Sequence, residues 1–569
     1  MNIMKKVDYE ETKMTASIWL NQQLKESLNI LKNTCIELYK NYEVEGACFY
    51  GSRVCGYARE NSDYNILLIL KEYEEGVRYD YKLVNLMTAS ILVIDDELFK
   101  LDVEKGALGE FVAGRILTPY IPFINESYIY EMEVNLKRRV VEEEIEELIL
   151  EYEELSRGLI IKPEYFIVSR LKKRAKVYPP LIYSYVNLFR EDLKEKNLNL
   201  IKKGFLEALK LLENQVVNLN GENITIVQNY IDKVLSKKVV KKVVNIVKFS
   251  RRALHSYLLQ GKAGRISLEL MAKELTSKLI KGLTMSTSKF LLEDPKNYLY
   301  LKTDAGLINL NESSSITDAL KEFFPNTPVT IKPLGGALNE VYLITVGQKK
   351  FVAKKYSDWF GFKWFTLNLV ALGAKVFSLS GKTRLANEYG ITQLLLNQGI
   401  PIQKIIFVNF PKKLLVKEYI DGVIFSELIK VCLKKNKLSE EEMQASIKLG
   451  EALGRIHSLN IAIGDAKPEN MIFTSKNEVI PLDLEQSKKG GDLAWDIAEL
   501  LYYSGHYCLN VTTGLKEFIE NFIRGYVTFG NPTNLKKAGG LNYIKVFSFW
   551  TPAPIIWAIS STLKKNLSN

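Results

Sequence analysis

The sequence is poor in the residues that build metal frameworks and disulfide scaffolds. Its 569 residues include five cysteines and three histidines. Cys35, Cys48, Cys55, Cys432 and Cys508 form no C-x-x-C pair, and His255, His457 and His506 are scattered along the chain. This spacing argues against a structural zinc site or disulfide staples and fits a reducing cytoplasm. No run reaches the 18 or so apolar residues that a membrane span needs. The N-terminus lacks the apolar core of a secretory signal.

What is present is a globular balance of 47% hydrophobic and 25% charged residues, which does not indicate disorder. The length implies more than one domain. Many Lys, Glu, Ile and Tyr residues suit a thermophile. The net charge of +11 is uneven. Residues 162–285 carry about 25 basic and 10 acidic side chains, a balance that draws polyanions by long-range attraction. Lysine-rich solvated helices are the structural alternative.

The most informative stretch is Ile463-Gly464-Asp465-Ala466-Lys467-Pro468-Glu469-Asn470, followed by Pro481-Leu482-Asp483-Leu484-Glu485. Phosphoryl transfer needs a base for the acceptor's proton and oxygen ligands for magnesium against the phosphates. Asp465, Lys467 and Asn470 share a loop. A strand, a turn at 475–477 and a second strand then deliver Asp483. A β-hairpin with solvated acids is the alternative, but it leaves Lys467 and Asn470 unaccounted for.

Upstream, Pro333-Leu334-Gly335-Gly336-Ala337 reads as a glycine turn between strands, where backbone amides can approach phosphate. The strand 351–355 presents Lys354, and the helix 382–398 offers Glu388 as its ion-pair partner. The stretch 414–422 contains Glu418 and Ile420. His457 reads as structural. Asp492 suits a helix N-cap, and Asp496 is placed to brace the 463–470 loop.

D-x-K-P-E-N followed by an apolar-D strand resembles the catalytic and metal loops of the protein-kinase superfamily. Gly491-Asp492-Leu493-Ala494-Trp495-Asp496-Ile497-Ala498 is similar to a motif of aminoglycoside phosphotransferases. No H-R-D precedes, Asp483-Leu484-Glu485 replaces D-F-G, and no long activation segment follows. The closest resemblance is to the compact atypical group: RIO kinases, archaeal kinases linked to tRNA threonylcarbamoylation, and antibiotic and lipopolysaccharide kinases. It implies a bilobal fold over 311–569, with an N-lobe at about 325–420 and a C-lobe at about 421–569. It further implies ATP and Mg2+ as cofactors, with Asp465 and Lys467 catalytic and Asn470 and Asp483 holding the metal. Gly335, Gly336, Lys354, Glu388 and the hinge residues Glu418 and Ile420 would bind ATP. The activity implied is serine/threonine protein phosphorylation, or phosphorylation of a small molecule; a nucleic-acid-associated ATP-binding module is the alternative of a different class.

The front of the chain carries a second pattern. A helix over 16–42, with apolar Leu28, Leu31, Ile36 and Leu38, precedes the strand 47–50. Gly51-Ser52 follows, then Asp63-Tyr64-Asn65 leading into another apolar strand. G-S followed by D-x-D resembles the DNA polymerase β-like nucleotidyltransferases, but Asn65 stands where the second carboxylate belongs. Gly51, Ser52, Asp63, Asn65 and Asp95 form this candidate site, with Asp96 and Asp102 as alternatives for the third acid. The expected domain is 1–125, degenerate or active.

Between them, 126–310 reads as mainly helical and basic. An acidic helix at 142–154 is followed by the basic stretch 166–178 and by helices in 227–283. Aromatic and basic residues mix over 165–183 in a way that suits nucleic acid such as tRNA. Residues 286–325 read as a connection. The apolar stretches 359–377 and 543–559 are expected to pack in the core, with docking on a partner or membrane surface as the alternative. The fold class expected is a multidomain α+β protein with a nucleotidyltransferase-like front, a helical middle and a kinase-like end.

Overall fold

The computed structural model describes residues 22–245, 247–248, 252, 292–314, 318, 324–325, 327–335, 339–358, 378–508, 510–548 and 550–565. It is a mixed α/β chain that divides into two compact units. Unit 1 comprises 1–150 and 161–298, and unit 2 comprises 151–160 and 299–569. The basic middle of the chain is thus not a separate body. Most of it belongs with the front of the chain, while its short segment 151–160 belongs to unit 2.

Unit 1 is built on helix α1 (Gln22–Leu38) and a mixed sheet of β1 (Val44–Tyr50), β2 (Tyr64–Leu70), β3 (Val77–Val84), β4 (Met87–Asp95) and β5 (Tyr120–Ile124), in the order β3-β4-β2-β1-β5. β2 and β4 run parallel, and the other pairs are antiparallel. Strands buried on both faces read as continuous apolar runs, and Ile66–Leu70 is fully buried. α1 covers one face through Leu28, Leu31 and Cys35. Ile36 and Leu38, expected on the buried stripe, are 43% and 44% exposed. Cys35, four residues after Leu31, takes the core position instead, as 3.6-residue periodicity requires.

Helix α2 (Asp96–Lys105), the long helix α3 (Glu126–Tyr152), α4 (Glu164–Val177), α5 (Leu181–Leu188) and α6 (Lys194–Leu211) follow. α3 buries Ile145, Leu148 and Ile149, as its sequence pattern expects. α4 is basic but not a free solvated surface, because Tyr165, Phe166 and Arg170 are buried. The helices expected over 227–283 are described at Gln228–Ser236 and over 238–245, and beyond that only at 247, 248 and 252.

In unit 2 the expected connection 286–325 contains a hairpin, β6 (Leu299–Thr303) and β7 (Gly306–Asn309). A five-stranded antiparallel sheet follows, made of β8 (Val329–Gly335), β9 (Asn339–Val346), β10 (Lys349–Tyr356), β11 (Ile405–Asn409) and β12 (Leu414–Glu418). Its order is β8-β9-β10-β12-β11. Helix α7 (Gly381–Asn397) has nearly every side chain from Arg384 to Leu395 buried, so it is packed on more than one side. One neighbour is the segment 153–158. A Cβ on Gly390 would stand 2.1 Å from the Glu154 carbonyl oxygen, and Tyr389 Oη donates to the Gly158 carbonyl at 3.1 Å.

The rest of unit 2 is helical around a single apolar cluster. α8 (Glu440–Ser458), α9 (Leu493–Gly505), α10 (Thr513–Tyr526) and α11 (Ala553–Lys565) contribute to it. A capping box at Ser439 and Glu442 starts α8, satisfying two otherwise orphaned backbone donors. Gly450 and Gly525 let α8 and α10 approach closely, since a Cβ on either would meet partner carbonyl oxygens near 2 Å. The apolar tail packs as expected: Tyr543, Phe547, Ile555 and Ile559 are buried, although Trp557 is 74% exposed. The other apolar stretch, 359–377, lies outside the described residues. Among the described residues no helix is long and apolar enough to cross a membrane.

Candidate functional site

Strand pairing sets the first half of the unit 2 site. On β10, Val352 faces Lys417 of β12 and Lys354 faces Leu415. Side chains alternate along a strand, so Lys354, Tyr356 and Lys417 emerge on one face. Helix α7 presents Glu388 to that face. Lys354 Nζ donates to Glu388 Oε2 at 3.1 Å, Tyr356 Oη donates to the same oxygen, and Lys417 Nζ binds Oε1. Lys417 also reaches the Leu482 carbonyl at 2.7 Å, one residue before Asp483.

Asp483 completes the network. Lys354 Nζ lies 2.7 Å from its Oδ2 and 2.8 Å from Glu485 Oε2. Arg384, fully buried on α7, pairs with Glu485 at 3.0 Å and donates to Asn339 at 2.8 Å. Glu388, Asp483 and Glu485 offer oxygens within 4.8 Å of one another. Three carboxylates therefore meet three cations, Lys354, Lys417 and Arg384, in a buried site. Burial raises the cost of every unpaired charge there.

The protonation balance follows from this crowding. Burial pushes the Asp483 carboxyl up to about 6 despite Lys354, with Glu485 and Glu388 adding to the rise. Burial also opposes ionisation of Glu388, but Lys354 and Lys417 outweigh it and hold Glu388 at about 2. Lys354 stays charged against its own burial because of Asp483, Glu388 and Glu485.

The second half of the site is the 463–470 loop. Asp496 at the start of α9 accepts the backbone amides of Ile463 and Gly464, the latter at 2.8 Å. His457 contacts Asp496 at 3.1 Å and the Tyr526 hydroxyl at 2.9 Å. Glu499 accepts from Ala466 N at 2.9 Å and from the Trp495 indole at 3.1 Å. The loop is thus pinned through its backbone, which leaves Asp465 side-chain chemistry free to vary. Asp465 binds Lys467 at 2.7 Å through Oδ1 and accepts from Asn470 Nδ2 at 3.0 Å through Oδ2. Burial works against the Lys467 charge, but Asp465 and Glu499 raise its pKa above the ordinary lysine value. The Leu482 amide donates to the Asn470 carbonyl at 2.8 Å, which ties this loop to the segment after strand Val479–Pro481 that carries Asp483.

Asp465, Lys467, Asn470, Asp483, Lys354 and Glu388 therefore belong to two bonded clusters on neighbouring segments. Gly335 ends β8 in the left-handed region, with φ 96° and open space around it; Gly336 lies outside the described residues. Glu418, expected at the hinge, ends β12. Its backbone N–H donates to the Lys404 carbonyl at 3.0 Å, and its carbonyl accepts from Gln403 at 3.0 Å. Ile420, the other expected hinge residue, packs against the apolar cluster. Lys417, Glu485 and Arg384 were not legible as site residues. A lysine inside an apolar strand at Lys417 was the available signal.

In unit 1 the second candidate site comes together only in part. Gly51, with φ 87°, sits where a Cβ would meet Asn65 Nδ2 at 2.9 Å, so glycine is needed for that approach. Ser52 opens a one-turn helix, and Arg53 fixes the 60–62 loop through the Ser62 carbonyl at 2.9 Å. Opposite Asn65 on the parallel strand stands Ser90, not an acid. Asp95 pairs with Leu70, five residues further along, or ~16 Å at strand spacing. It caps α2 by accepting from Leu98 N at 3.2 Å and binds Tyr73 N at 3.0 Å. Asp96 binds Tyr128 and Lys100. Asp102 accepts four backbone amides from Leu108, Glu110, Val112 and Ala113. None of the three acids is placed as a third carboxylate beside Asp63. Among the described residues the only three-acid cluster able to hold a metal is that of Glu388, Asp483 and Glu485.

No family model and no curated protein matches the chain. Solved structures that match include the complex of Rv3197 with erythromycin from Mycobacterium tuberculosis, at 12% identity and a TM-score of 0.20. That match spans 29% of this chain and about half, 48%, of the solved chain, and likeness at this level carries no argument about fold or activity.

Proposed function

We propose that unit 2 is an ATP- and magnesium-dependent phosphotransferase of the atypical serine/threonine protein-kinase type. The observation that carries this reading is the double role of Lys354. It is buried and held by Glu388 from α7 and by Asp483, two residues beyond the strand Val479–Pro481. A cation fixed in this way can orient a triphosphate with little reorganisation.

The donor set suits a hard cation. Asn470 spends its amide nitrogen on Asp465, so its carbonyl oxygen is the end left for metal, beside the carboxylate of Asp483. Bound there, Mg2+ would neutralise phosphate charge. The chain's own groups do the rest. Asp465 takes the proton of the acceptor hydroxyl while Lys467 faces the phosphoryl group. The acceptor oxygen bonds to the γ-phosphorus, the bond from that phosphorus to the bridging oxygen breaks, and ADP leaves. Only about ten residues separate Asp483 from α9, too few for a long peptide-binding activation segment. This favours a small-molecule acceptor as the second reading. Unit 1 is proposed as a degenerate nucleotidyltransferase-like domain, because Asn65 and Ser90 are neutral where two-metal chemistry wants carboxylates. A cytoplasmic location agrees with five buried free cysteines.

γ-labelled ATP offered with casein, tRNA or small hydroxyl compounds tests the reading. Label on protein or small molecule that disappears in Asp465→Asn supports it. Transfer unaffected by Asp465→Asn and abolished by Asp63→Ala would make unit 1 the enzyme.

A further inference from the structure

Unit 1 contains a cavity of about 90 Å³ walled by residues of 109–115, by α3 and α4, and by Asn245, Lys248 and Arg252. A single water needs roughly 10–15 Å³ of such space, so a phosphate-sized group fits. Six cations and three carboxylates line it. Arg170 pairs with Glu110 and with Glu143 at 3.1 Å. Arg252 donates to Glu143 at 2.8 Å, and Lys173 is held by Glu144 at 2.6 Å and by Glu147. These pairs use up the carboxylates of the lining.

Lys248, Arg115 and Arg174 make up the other three cations, and the hydrogen bonds of the two arginines go to neutral groups. Arg115 Nη2 donates to the Tyr79 hydroxyl at 3.1 Å, and its guanidinium lies 5.4 Å from the Tyr50 ring and 5.3 Å from that of Phe111. Arg174 Nη2 donates to the Glu110 carbonyl at 3.0 Å. Arg115 Nε and Arg174 Nη1 are buried donors with no acceptor. A Cβ at Gly114 would fall 1.7 Å from Arg174 Nη1, so the glycine is what lets this guanidinium lie against the backbone. Buried charged donors left unmade are costly. A fold that keeps two of them beside a cavity retains a stability cost that an anion would repay, as functional sites commonly do.

We propose that this cavity binds the phosphate end of a small phosphorylated molecule, with Arg115 and Arg174 as its ligands and without a divalent metal. Guanidinium forks match phosphate oxygens in pairs, while Phe111 and Tyr178 supply an apolar wall. The site is independent of the phosphotransfer reading and uses none of its residues.

The test is titration of pyrophosphate into the full chain in EDTA, followed by calorimetry and thermal melting. Expected are one site per chain, a raised melting temperature, and at least tenfold weaker binding in the Arg115→Met/Arg174→Met double variant. The ligand-free double variant should melt no lower than the parent, because two unmade buried donors are gone. If that variant does not fold, Arg174→Lys keeps the charge, loses the fork and should weaken binding by about tenfold. Lys354→Met should leave this binding unchanged. Competition by AMP and ADP separates the sources: tighter binding of either points to a nucleotide, and equal or weaker binding points to an inorganic anion. Both outcomes support the site. No binding in EDTA, or binding that survives the arginine variants and is lost in Lys354→Met, overturns it.

Discussion

Two buried charge networks, one in each unit, are made from the same residue types and differ in what is left over. In unit 2, Glu388, Asp483 and Glu485 meet Lys354, Lys417 and Arg384, and the carboxylates crowd within 4.8 Å of one another. In unit 1, Glu110 and Glu143 are divided among Arg139, Arg170 and Arg252, and two further arginines face a cavity with neutral partners. Crowded acids favour a cation and spare guanidiniums favour an anion. The contrast teaches that a buried ion pair says little by itself; what points to a ligand is the closeness of the acids to one another in unit 2 and the excess of cations over acids at the unit 1 cavity.

The sharpest way to break the contrast is to remove the proposed base. Asp465→Asn should lower phosphotransfer by a factor on the order of 10²–10⁴. Its melting temperature should barely move, because Asp496 and Glu499 hold the loop through its backbone. A rate within a few-fold of the parent would remove Asp465 from the chemistry.

Glu388→Ala attacks the network itself. It takes from Lys417 its carboxylate partner in a buried site, while Lys354 keeps Asp483 and Glu485, and breaking such a pair costs roughly 3–5 kcal/mol. Denaturant unfolding of the variant should show that loss. A cost below about 1 kcal/mol would mean that water reaches the site and the charges are not buried together.

Packing of 153–158 against α7 is the next test. Gly390→Ala drives a methyl into the Glu154 carbonyl, and overpacking costs typically about 1–3 kcal/mol. If α7 must hold Glu388 on Lys354, ATP affinity should fall together with stability. Affinity unchanged at reduced stability would separate the two.

Asp483 sharpens the comparison through pH. Its folded pKa of about 6 lies above the ordinary carboxyl value, so burial disfavours its ionised form in the metal-free protein. Its contribution to stability is complete below pH 4 and is lost as pH rises through about 6. A divalent cation needs the ionised form, so magnesium binding should strengthen as pH rises from 5 to 7, by at most about tenfold per unit below 6. Magnesium-induced thermal shifts measured across that range check this. A flat profile would take Asp483 out of the metal site.

Much of unit 2 was legible because its polar residues interrupt apolar strands at fixed spacing. Lys354 in 351–355 and Asp483 after 479–481 can only point one way once the strands pair. Glu485 was not legible: it looks like a loop acid until Arg384 and Asn339 close on it from α7 and β9. In unit 1, Asp95, Asp96 and Asp102 have the composition of a metal site. Strand register and backbone capping, invisible in a single sequence, give them other work. Arg170 and Arg174 read as parts of one basic run, yet one turn of helix separates a paired arginine from one with spare donors.

The most direct test of the central claim is calorimetric titration of Mg–ATP into the parent chain and Asp483→Asn at pH 7. Saturable binding by the parent, weakened at least tenfold in Asp483→Asn and dependent on magnesium, is the expected result. Equal affinity in both proteins, or no binding by either, would contradict it.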